Sequence, residues 1–138
     1  MIPNMNILAP KNSQELQDAV VFAAGFNAPL AIRYPRGIAD DVALEFREPI
    51  IFGKSEGIFL ETDIAIISVG TMIKTALLVR HHLKEKGLNV TLINARFIKP
   101  FDEKLIEDLV ISHKYIITME ENVISGGYGM SVDRKSVV

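Results

Sequence analysis

The stretch DIAIISVG, Asp63 to Gly70, decides the fold. Ile64, Ala65, Ile66, Ile67 and Val69 leave no polar face, which is how a strand covered on both sides reads. Thr71 can cap a helix directly after the glycine. In that helix Met72, Ala76, Val79 and Leu83 share one face, and Gly87 ends it. The cycle then repeats. NVTLIN (89–94) reads as a strand, Pro100 and Asp102 open a helix that turns Leu105, Ile106 and Leu109 inward, and KYIITM (114–119) is a third strand before Gly126, Gly127 and Gly129. Strands alternating with helices of this length imply right-handed βαβ units. The expected fold class is therefore α/β, an open and mostly parallel sheet with helices on both faces, from Thr62 onward. The layer is incomplete at its C-terminus: a glycine turn that should launch a third helix leaves the last strand on an edge. The final DRKSVV lacks the apolar stripe of a covering helix, as expected of a truncated chain or an unrelated tail.

Upstream, NSQELQDAVVFAAGF (12–26) opens with Asn12 and carries Glu15 three residues on, a pairing in which each side chain satisfies a free N–H of a helix start. Leu16, Val20 and Ala23 recur at helical spacing, and Gly25 offers the closing residue. Leu30, Ala31 and Ile32 form a short strand that Pro35 stops, because proline has no N–H for a ladder. From Gly37 to Glu61 no period persists. This stretch is expected to be a linker, with short strands around PIIFGKSEGIFL (49–60).

Composition removes several functions. The formal net charge of −2 leaves no broad cationic surface for a duplex, so no nucleic acid partner is expected. Cysteine is absent, which excludes disulfides and thiolate nucleophiles and is compatible with a reducing cytoplasm. No run approaches the roughly 20 apolar residues of a bilayer span, so no membrane partner is expected and the localisation reads as cytoplasmic.

The residues that could act are few. In AIRYPRG (31–37) two arginines follow the strand, where a guanidinium offers a fork of donors to phosphate or carboxylate. Arg36, past the proline, is the better anion candidate, or else a loop cation that fixes the linker. Arg33, inside the strand, suits a structural ion pair. Glu120 and Glu121 could pair for acid–base work, but neighbours at a strand end point apart, and Arg96 and Lys99 are natural partners for them. His81 and His82 are consecutive on a polar helix face and do not converge on a metal, while His113 sits near a helix C-terminus. SGGYGMS (125–131) lacks nucleotide-loop spacing, so its glycines read as close packing of a helix start. From these residues alone the chain has one plausible anion contact and no catalytic group.

Together, PNMNILAPKN, AIRYPRG, ISVGTM, INARFIKPFDEKLI and TMEENVISGGYG, in this order and spacing, resemble the 1-deoxy-D-xylulose-5-phosphate synthases, a branch of the transketolase-like thiamine diphosphate enzymes. The resemblance runs from Ile2 to Val132. It implies that residues 1–37 end a pyrimidine-binding domain, 38–61 link, and 62–138 form a truncated transketolase C-terminal domain. It also implies that Arg36 contacts the phosphate of the aldehyde substrate. The implied reaction condenses pyruvate with glyceraldehyde 3-phosphate and releases carbon dioxide, toward isoprenoid and thiamine precursors. Thiamine diphosphate and magnesium would be held elsewhere in a full-length homodimer. This chain alone lacks the residues that bind them and is expected to be inert; the alternative is an assembly subunit of a split enzyme.

Overall fold

The computed structural model describes residues 5–35, 41–121 and Gly129. They form two sheets. The first comprises β1 (Asn6–Leu8), β2 (Leu30–Ile32) and β6 (Phe97–Lys99) in the order β2-β1-β6. The second comprises β3 (Glu56–Phe59), β4 (Ile64–Ser68), β5 (Val90–Asn94) and β7 (Tyr115–Met119) in the order β3-β5-β4-β7. The expected parallel layer is its centre: β4 runs parallel to both β5 and β7, with Ile66 opposite Leu92 and Ile117. β3 joins antiparallel to β5, inside the segment read as a linker.

Helices cover the second sheet on both faces. α2 (Ile73–Glu85) buries Ile73 and Ala76 against Ile66, Val90 and Leu92. α3 (Glu103–Ser112) buries Ile106 and Leu109 on the opposite face with Ala65, Ile67 and Ile93. The crossover from β4 to β5 and the crossover from β5 to β7 run in opposite directions across the sheet, and the right-handed rule then sends their helices to opposite faces. That second face also receives Ile7, Ala9 and Ile98 from β1 and β6, while Leu8 and Phe97 turn away to meet Ala19 of α1 (Ser13–Ala24). Alternation along β1 thus serves two cores at once.

Helix ends follow the expected chemistry with two corrections. Asn12 accepts from the Glu15 N–H at 2.8 Å, but the Glu15 carboxylate reaches the N–H of Lys11, at 2.7 Å, and not that of Asn12. Asp102 caps α3 by accepting from the Leu105 N–H at 3.3 Å. Thr71 makes no capping bond: Gly70 turns at φ +59° into a 3₁₀ turn, Gly70–Met72, that carries the threonine past the helix start. On α1 the buried positions are Glu15 and Ala19, and Val20 is half exposed, so the inward stripe lies one residue before the one the sequence suggests.

Candidate anion-binding cleft

The order of the second sheet reverses at β4. β4 leads through α2 to β5 on one side, and β5 leads through α3 to β7 on the other. In open parallel sheets the crevice outside the carboxyl ends at such a reversal is where ligands lodge. A cleft of about 190 Å³ opens there. Val69, Gly70 and Thr71 line it from the end of β4, and Glu121 lines it from beyond β7. Ala9 and the sequence Arg33, Tyr34 and Pro35, which follows β2, complete the wall. Two separate sheets therefore share one cleft. Gly70 allows this turn, since it adopts φ +59°, which would strain any side chain, while a Cβ there would only come into ordinary contact, 3.6 Å from Ala9 Cβ and the Pro10 carbonyl oxygen.

Arg33 is not the structural ion-pair partner expected of it. Its backbone N–H continues the ladder to Leu8 O at 2.9 Å, but its exposed guanidinium forms no ion pair among the described residues and borders the cleft. Arg36 lies outside the described residues, three positions further along the same chain. Glu120 and Glu121 do point apart. Glu120 accepts the backbone N–H of Gly129 at 2.7 Å, and Glu121 faces the cleft. A Cβ on Gly129 would sit 2.8 Å from Thr118 Oγ1, so at this position close packing explains the glycine. The rest of SGGYGMS and the DRKSVV tail lie outside the described residues.

Arg96, expected beside Glu120, goes elsewhere. It adopts φ +60° and turns into the interior, where Nε meets Glu15 Oε1 at 2.8 Å and Nη2 meets Glu56 Oε2 at 3.2 Å. Its remaining donors reach the carbonyls of Pro49 at 2.9 Å and Glu48 at 2.5 Å. Lys11 Nζ lies 2.9 Å from Glu56 Oε1 and 3.3 Å from Glu15 Oε1, and the Asn94 amide donates to both carboxylates. Two cations and two anions, all almost fully buried, thus balance between α1, β3 and the turn after β5. Burial alone would raise the Glu56 carboxyl. The Glu48 N–H, the Lys11 ammonium, the Asn94 amide and the Arg96 charge outweigh it and hold Glu56 below the ordinary carboxylate range. Sequence reasoning missed this cluster because its members are far apart in the chain; the one available signal was a lysine and a glutamate at i, i+4 beside a helix start.

The histidines are peripheral. His81 pairs with Glu85 on the exposed face of α2, at 2.8 Å. His113, which follows α3, bonds Thr91 Oγ1 through Nε2 and Ser112 Oγ through Nδ1, both at 2.8 Å. A second, larger cavity of about 400 Å³ flanks α1 between Val21, Phe22, Pro49 and Ile50. Its Asp18 and Arg47 already bond each other at 2.8 Å, which leaves the smaller cleft as the candidate site.

Residues 53–134 match the transketolase C-terminal domain family. The chain belongs to that family. The matched stretch begins ahead of β3, and so takes in the whole second sheet. Among curated relatives, the 1-deoxy-D-xylulose-5-phosphate synthase of Lachnoclostridium phytofermentans is 45% identical over 131 residues, covering 95% of this chain and 21% of the relative. The synthases of Dictyoglomus turgidum and Carboxydothermus hydrogenoformans are 44% and 40% identical, and the match again covers 21% of each. This transketolase C-terminal domain and the segment ahead of it therefore span about a fifth of the length of those relatives. A solved structure named as a split gene transketolase, inactive β4 tetramer, superposes with a TM-score of 0.82 over 96% of this chain and 44% of its own, at 23% identity. That likeness shows a shared fold.

Proposed function

We propose that the chain is the rear portion of a 1-deoxy-D-xylulose-5-phosphate synthase, and that Arg36 helps hold the phosphate of the aldehyde substrate at the cleft below β2. The observation that carries this is the placement of Arg33, Tyr34 and Pro35, the residues directly ahead of Arg36 in the sequence, on the crevice where the sheet order reverses. In this reading residues 1–37 belong to the pyrimidine-binding domain, 38–61 link, and 62–138 form the C-terminal domain. In the longer homodimer, a cytoplasmic enzyme, the bond between C1 and C2 of pyruvate breaks, carbon dioxide leaves, and C2 joins the aldehyde carbon, whose oxygen takes up a proton. Thiamine diphosphate would supply the electron sink for the decarboxylation. In this reading the cofactor and its magnesium are held by other parts of the longer enzyme, as the resemblance implies. The contribution of this chain is then binding and orientation of the phosphorylated substrate.

The purified longer enzyme, supplied with thiamine diphosphate, magnesium, pyruvate and glyceraldehyde 3-phosphate, is expected to release carbon dioxide and form the deoxyxylulose phosphate. This chain alone is expected to do neither. Turnover by the chain alone, or none by the longer enzyme, overturns the proposal. A split-gene subunit is the second reading, favoured by the name of the solved neighbour; an uninterrupted reading frame upstream of Met1 and beyond Val138 decides against it.

A further inference from the structure

We infer that Lys11 is a positioning residue for the cleft: it pins the wall carried by the N-terminal segment against the wall carried by β4. The kinetic part of this inference rests on the function proposed above. Ala9 supplies one wall and Gly70 the other, close enough that a Cβ on Gly70 would touch Ala9 Cβ and the Pro10 carbonyl. Only Pro10 separates Ala9 from Lys11. The ladder from β1 to β6 does not fix this approach by itself, because its register shifts between Ile7 and Leu8, just ahead of Ala9. Such an irregularity frees the strand to bend.

Beyond it the segment is held from two sides. The Ala9 N–H donates to Arg96 O at 2.6 Å, and the Lys11 ammonium, with its side chain 1% exposed, lies 2.9 Å from Glu56 on β3. Glu56 stands opposite Asn94, which itself stands opposite Ser68, two residues before Gly70. The lysine thus ties the segment to the strand ends from which the Gly70 turn departs. A buried ammonium without its carboxylates is so costly that the tether has one stable position. Apolar packing of Ala9 would tolerate sliding; a point charge seated between two carboxylates does not.

Loss of the lysine alone would also leave an unbalanced carboxylate, so stability and position must be separated. The charge-balanced pair Lys11→Met with Glu56→Gln removes one cation and one anion and keeps Arg96 with Glu15. In the longer enzyme this double variant is expected to melt near the wild-type temperature. Its KM for glyceraldehyde 3-phosphate is nevertheless expected to rise about tenfold, with the KM for pyruvate unchanged, as a displaced binding wall requires. In this chain, the backbone amide NMR signals of Ala9, Gly70 and Thr71 are expected to shift while those of Val90 and Leu92 stay in place. A double variant with wild-type KM for the aldehyde, equal rises in both KM values, unmoved Ala9 and Gly70 signals, or failure to fold each overturns the inference. An absence of turnover in the wild-type enzyme would refute the proposed function, and the NMR comparison would still decide the role of Lys11.

Discussion

At the residue scale the interior is governed by charge balance. Arg96 serves two carboxylates and two backbone carbonyls with one guanidinium, a task that its planar fork suits and a lysine cannot share. Arg96→Met strands two buried glutamates with one lysine, and is expected to lower unfolding free energy by about 3–5 kcal/mol in urea titrations. Arg96→Lys should recover only part of this. Glu56 gives the pH dependence. Its carboxyl is held below the ordinary value of 4.5, so the folded state binds its proton less readily than the unfolded chain. The stability it contributes is present above pH 4.5 and is lost as pH falls through the lower folded value. Glu56→Gln is expected to flatten the acid limb of the stability curve, measured by denaturation between neutral pH and the acid range. An unchanged slope would remove the assignment. The end of β2 was legible at this scale, because Pro35 has no N–H for a ladder and the strand stops ahead of it. The buried cluster was not, since pairing Arg96 with Glu120 assumed that neighbouring strand ends meet, and φ +60° turns Arg96 inward instead.

At the element scale, legibility followed length and locality. β4, β5, β7 and the helices α1, α2 and α3 carry enough residues for a period to show, and Asn12, Asp102 and Gly87 punctuate them as helix termini do. β1 and β6 have three residues each and pair with one another across most of the chain, so neither leaves a local pattern to read. β3 was visible only as a suggestion, because Gly57 interrupts its alternation and the ladder to β5 shifts register there. Thr71 shows a limit of capping rules. A glycine in the left-handed region ahead of it inserted a 3₁₀ turn, and the hydroxyl moved from cap to cleft wall. Asp102 is the firmer terminus, since it accepts from the N–H groups of both Leu105 and Ser55. Asp102→Ala is expected to cost about 1 kcal/mol or slightly more in thermal or chemical unfolding. A change within error would show that α3 is held by Ile106 and Leu109 packing alone.

At the scale of the whole molecule, two sheets meet along one shared core, and the cleft exists only because they do. β7 borders the second sheet, with Tyr115 67% and Ile117 37% exposed on the face toward α2 and Ile111 86% exposed on α3. Among the described residues β7 is an edge strand beside apolar side chains, and such an edge is a template for pairing. Light scattering is expected to show association of this chain that grows with concentration and weakens in Ile117→Lys; a strict monomer at high concentration would contradict this. What sequence could not show was the first sheet, whose members come from opposite ends of the described chain.

The central claim, that the loop after β2 was shaped to hold a phosphate, is tested most directly by the kinetics of Arg36→Ala in the longer enzyme. Loss of a charge-assisted pair is expected to raise the KM for glyceraldehyde 3-phosphate by an amount corresponding to about 2–5 kcal/mol of binding, and to leave the KM for pyruvate nearly unchanged. Equal effects on both substrates, or none on either, would contradict the account.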